Sequence, residues 1–138
     1  TFNVGLDSAV NFGDPSVWKV GHPLNPTVNN LHWGWQGGYV FMALEGFYQK
    51  LGAREPWLYH IALLENQMPV RGEGDLHLDG SRRLVLNWNA DRLFYGTHEI
   101  RPSEDGAFSH STFDGGVAHR ISENVRQSFS WVALENKK

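Results

Sequence analysis

The chain contains no cysteine, so no disulfide can staple it and no thiolate can hold a metal. Any metal ion it binds must use nitrogen or oxygen donors. Long hydrophobic runs are missing too. No stretch approaches the roughly 18 apolar residues of a membrane helix, and the N-terminus has no basic-then-apolar signal pattern. Charge of one sign is scarce: the formal net charge is −3, and no like-charge block is longer than a pair such as the terminal Lys137-Lys138. That argues against nucleic acid or an anionic membrane and leaves a small ligand or a protein as the expected partner. Common chemical signatures are absent as well. There is no His-Glu-x-x-His zinc helix, no EF-hand loop and no phosphate-cradling glycine loop. Without a Gly-x-Ser-x-Gly elbow to expose a nucleophile, Ser109-His110-Ser111 does not suggest a hydrolase. The carboxylate pairs Glu73/Asp75 and Glu104/Asp105 lie in polar turns, where solvation is the default. No general base or substrate pocket can be named, so the chain is not expected to be an enzyme.

What is present points to β structure. With 138 residues, 41% hydrophobic and 20% charged, the chain has the composition of an ordinary globular protein. It is long enough to bury a core without covalent staples, and one domain over residues 1–138 is the natural reading. Fifteen glycines divide it into short segments. Phe2 to Leu6 reads as a strand. Because the chain opens on Thr1 and is strand-like at once, it is expected to begin partway into a longer, N-terminally shortened domain. Asn11 to Asn30 carries three prolines among Asn and Gly and reads as a long ordered loop. Tyr39 to Gly46 is apolar on both faces, as a central strand would be, and Trp57 to Leu63 is similar. Asp75–Asp79 and Arg82–Trp88 flank Gly80-Ser81 as a β-hairpin. Val117, Ile121 and Val125 recur every four residues and predict an amphipathic helix of about three turns. The expected fold is a mainly β, sandwich-like domain with one or two short helices.

Seven histidines stand at His22, His32, His60, His77, His98, His110 and His119. Most histidines are surface or satisfied core residues, and His98 and His119 fit that description best. Imidazole also suits copper, zinc and iron, and a cysteine-free, histidine-rich chain can hold a redox metal without risking thiol oxidation. Leu31-His32-Trp33-Gly34-Trp35-Gln36-Gly37-Gly38-Tyr39 is the unusual segment. Strand alternation would put Trp33 and Trp35 on one face, both plugging a core. Alternatively the two tryptophans line a site, with Gly34 and Gly37 allowing close backbone approach.

His22-Pro23-Leu24-Asn25, followed by His32-Trp33-Gly34-Trp35-Gln36-Gly37-Gly38-Tyr39-Val40-Phe41, resembles the MbnP family, the periplasmic copper proteins associated with methanobactin operons and related to copper-repressible surface proteins of methanotrophs. Phe2-Asn3-Val4-Gly5-Leu6 is similar to the family's Phe-x-x-Gly strand. Trp57-Leu58-Tyr59-His60 is similar to its aromatic-x-x-His strand, with Ile61-Ala62 standing where the family has Leu-Gly. The resemblance spans roughly residues 1 to 65. It implies a periplasmic, exported or cell-surface protein that binds one Cu(I) ion in copper acquisition or homeostasis. It further implies that Trp33, the first tryptophan of Trp-x-Trp, is oxidised to kynurenine by a diheme partner of the cytochrome c peroxidase, MauG-like class (MbnH type). Chemistry requires that order of events. Indole nitrogen is a donor only, whereas ring opening exposes an aniline nitrogen with an available lone pair. Trp33 is thus the modification site and, once oxidised, a ligand. Trp35 is an orienting or electron-relay aromatic. His60, in the matching strand, is one histidine ligand. His32 and His22 are alternatives for the other, and His110 is a further candidate. The rival reading is a carbohydrate- or protein-binding β-sandwich in which Trp33 stays intact.

Overall fold

The computed structural model describes residues 1–34, 36–71, 82–111 and 115–136. The mainly β class expected from the sequence is what the structure has. Among the described residues, seven strands are distributed over three small sheets. β1 (Phe2–Val4) pairs antiparallel with β4 (Met68–Val70). β2 (Met42–Lys50), β3 (Ala53–Ile61) and β6 (Phe108–His110) form the second sheet, with β3 central. β5 (Arg82–Trp88) pairs antiparallel with β7 (Phe129–Asn136). The Asp75–Asp79 arm of the expected hairpin lies outside the described residues, and the partner of Arg82–Trp88 seen here comes from the end of the chain.

β2 and β3 are a hairpin, Lys50 opposite Ala53, closed by Leu51 and Gly52 at φ of 51° and 83°. Two central residues at positive φ make the turn whose twist matches antiparallel strands. Burial alternates along β2, so this strand is apolar inside and open outside, where the sequence suggested two covered faces. Tyr39, expected within it, instead forms an isolated bridge to His32. β6 returns after a long connection to pair parallel with β3, placing Leu58 opposite Phe108, Tyr59 opposite Ser109 and His60 opposite His110.

The expected helix over the Val117, Ile121 and Val125 repeat is α4, Val117–Ser128, which follows the single-turn helices α1 (Ser8–Asn11), α2 (Pro26–Asn29) and α3 (Pro102–Asp105). Those three residues are buried with Tyr59, Ile61, Met68, Leu93, Ile100 and Ala118 in one core. α4 therefore packs on the inner face of the β3 sheet and leaves the opposite face for other use. Asn11 to Asn30, expected to be a loop, carries several single turns. Asp14 and Asn25 accept hydrogen bonds from the Ser16 and Thr27 amides, with proline in the next position each time. A side-chain cap and a proline at the first helical position favour one turn, and nothing downstream extends it. Among the described residues no helix is long and apolar enough to cross a membrane.

Candidate metal centre

Directly opposed residues of paired strands point to the same face. His60 on β3 and His110 on β6 are such a pair, on the face turned away from the α4 core. Their Nδ1 atoms stand 3.2 Å apart and their ring centroids 5.2 Å. Burial, and then the proximity of the His110 imidazole, holds the His60 pKa below its ordinary value, with Glu45 opposing weakly. The shift favours the neutral ring, the form a metal requires. Two nitrogens at tetrahedral positions around a metal, with bonds of about 2.0 to 2.1 Å, lie about 3.3 Å apart. The observed separation is close to that spacing, and without a metal the same two nitrogens stand within hydrogen-bond distance of each other.

Trp33 forms the wall beside this pair, its ring centred 5.4 Å from that of His60 and 6.0 Å from that of His110. It is 37% exposed. A tight loop delivers it: the Trp33 amide donates to the Gly38 carbonyl, the Gly38 amide to the Gly34 carbonyl and the Val40 amide to the Leu31 carbonyl. Two glycines let the loop close. A Cβ on Gly37 would stand 2.9 Å from the Trp33 Cβ, and one on Gly38, where φ is 64°, would collide with the Asn11 amide. Asn11 is fully buried and accepts from the Tyr39 amide at 2.9 Å. The Phe41 amide donates to the Ile61 carbonyl at 2.7 Å. The loop is thereby fixed both to the first helical turn and to the strand that carries His60.

The structure brings Trp33, His60 and His110 together. It gives His32 and His22 other partners. The His32 Nδ1 accepts from the Gly34 amide and its ring meets Tyr39 edge-on at 4.6 Å. The His22 Nδ1 accepts from the Leu24 amide and its ring stacks on Trp18 at 4.2 Å. Trp35 lies outside the described residues. The remaining described histidines serve the fold: His98 pairs with Glu123 at 2.6 Å and His119 meets Asn66 at 3.1 Å. Among the described residues no group of three or more His, Asp or Glu side chains is arranged to hold a metal ion. Two imidazoles are fewer donors than a closed metal site needs, and the aromatic side chain beside them is Trp33. His110 rises from further candidate to direct partner of His60 because of the parallel β3–β6 register, which no local pattern in the sequence announces.

The model of the MbnP family matches residues 1–111, so it covers Trp33, His60 and His110 and ends before α4. No curated protein and no solved structure matches the chain.

Proposed function

The chain belongs to the MbnP family, and from that premise we propose that it binds one Cu(I) ion through His60, His110 and a kynurenine made from Trp33. The proposed setting is copper acquisition or homeostasis, in the periplasm or at the cell surface and in connection with methanobactin. The observation that carries this reading is the convergence of two imidazole nitrogens 3.2 Å apart beside an indole that is 37% exposed. Imidazole and aromatic amine nitrogens are donors that Cu(I) accepts in low coordination numbers. An exposed indole can be oxidised by a partner without unfolding the chain.

A diheme partner delivers two oxygen atoms across the Cγ–Cδ1 bond of Trp33 from two peroxide molecules, each reduced to water. Hydrolysis of the resulting formyl group then releases formate and frees the aniline nitrogen, for a net gain of about 4 Da. The protein's own part is to hold the indole at the surface beside the two imidazoles. It acts as the substrate of that partner and needs no catalytic group of its own.

Cu(I) affinity of the partner-treated protein, measured by competition with a chromogenic chelator, tests the reading. His60→Ala and His110→Ala should each weaken binding by more than about tenfold, as loss of one of three donors requires. His119→Ala should lower stability by roughly 1 kcal/mol, since it strips a partner from buried Asn66, and leave affinity unchanged. Circular dichroism verifies the fold of each variant. If both site variants keep wild-type affinity, the copper lies elsewhere.

A further inference from the structure

We propose that Ser111 is the positioning residue that fixes the spacing of His60 and His110; the inference rests on the copper reading above for its functional meaning and on the strand geometry for its physical content. The parallel ladder between β3 and β6 is three residues long and ends at the His60–His110 pair. Were it to continue, residue 111 would face Ile61. Its backbone amide would donate to the His60 carbonyl and its carbonyl would accept from the Ala62 amide, the pattern of any parallel rung. The chain cannot make that rung, because Ser111 turns into the left-handed region at φ 55°. Its side chain makes it instead. The Ser111 hydroxyl donates to the His60 carbonyl at 2.7 Å and accepts from the Ala62 amide at 2.6 Å.

One hydroxyl thus replaces a full backbone rung immediately beyond the two imidazoles. At the other end the ladder is anchored by the Leu58 amide on the Ala107 carbonyl and by the Tyr59 hydroxyl on the Gly106 carbonyl. Without Ser111 the His110 end of so short a strand would fray, since terminal rungs open first. Ser111 is nearly buried, at 9% exposure, so water is a poor substitute for its hydroxyl. A non-glycine residue at positive φ costs energy. Glycine would suit the backbone better and would forfeit the hydroxyl, so the position sets the demand of the turn against the demand of the histidine pair.

Two substitutions separate those demands. Ser111→Gly relieves the turn and removes the hydroxyl, while Ser111→Thr keeps the hydroxyl and worsens the turn, because β-branched residues fit positive φ poorly. Two readouts are compared on the full chain. One is the inter-ring nuclear Overhauser effect between His60 and His110 in the metal-free protein, and the other is Cu(I) affinity after treatment with the diheme partner. The Gly variant should stay folded, lose the inter-ring effect and bind Cu(I) roughly tenfold to a hundredfold more weakly, the range for removing a residue that orients a ligand. The Thr variant should melt at lower temperature yet keep both. A folded Gly variant that retains the inter-ring effect and wild-type affinity, while His60→Ala loses binding, overturns the role of Ser111 and leaves the copper site standing. A folded Thr variant that loses the inter-ring effect overturns it equally. If the oxidised wild type binds no Cu(I), the copper reading fails, and the inter-ring effect in the metal-free variants still decides whether Ser111 sets the pair.

Discussion

At position 33 the difference between indole and kynurenine lies in one nitrogen lone pair. In the indole it belongs to the ring; in the aniline it is free to bind a metal. The proposed copper site also needs neutral histidines beside it, and burial together with the His110 imidazole shifts the His60 pKa in that direction. The depressed pKa has a consequence for stability. Unfolded His60 takes up a proton near the ordinary pH of about 6.5, whereas folded His60 resists until lower pH, held first by burial and then by the nearby His110 imidazole. The unfolded state therefore binds more protons in that window, and stability present above about pH 6.5 is lost as pH falls toward the folded pKa. Urea midpoints of the metal-free protein should decline over this range, and His60→Ala should flatten the decline. Equal slopes in wild type and variant would assign the loss to other groups.

The β2–β3 hairpin shows how an element can be right in outline and imperfect in one residue. Its two-residue turn requires positive φ at both centres, yet the first is Leu51, fully exposed at φ 51°. Leu51→Asn should stabilise the chain by about 0.5 to 1 kcal/mol, because asparagine tolerates this conformation and no packing is lost. Thermal melting should then shift up by a few degrees, whereas an unchanged or lower midpoint would mean that Leu51 has a role the turn does not reveal. Elements dictated by local chemistry were legible in the sequence: α4 through its four-residue apolar repeat, β1 and β3 through their composition. The single turns after Asp14 and Asn25 were missed because proline and glycine dominate that stretch and one capped turn leaves no periodicity. The β3–β6 pairing was not legible either. A three-residue parallel strand is specified by what it packs against, so nothing in Phe108-Ser109-His110 names β3 as its partner.

For the molecule as a whole, the β class followed from glycine punctuation and alternating segments, but the division of the strands among three sheets depends on contacts far apart in sequence. The site was half legible for the same reason. Trp33 and His60 stand out through the family's motifs, while His110 joins them only when the chain returns to the edge of β3. Helix and sheet then divide the work: α4 buries the inner face of the β3 strand, and the outer face presents the histidine pair to Trp33. Copper binding, as proposed, is therefore created by oxidation of one residue on a fold that is already complete. The most direct test is intact mass together with copper content of the wild type and of Trp33→Phe, each purified with and without exposure to the diheme partner and peroxide. Phe keeps most of the aromatic burial but cannot open to an aniline. The wild type should gain about 4 Da at Trp33 and one copper per chain only after exposure, and the variant should fold, gain neither, and stay copper-poor throughout. A copper-loaded wild type with all six tryptophans intact, or a Trp33→Phe variant that binds copper as well as the treated wild type, would contradict it.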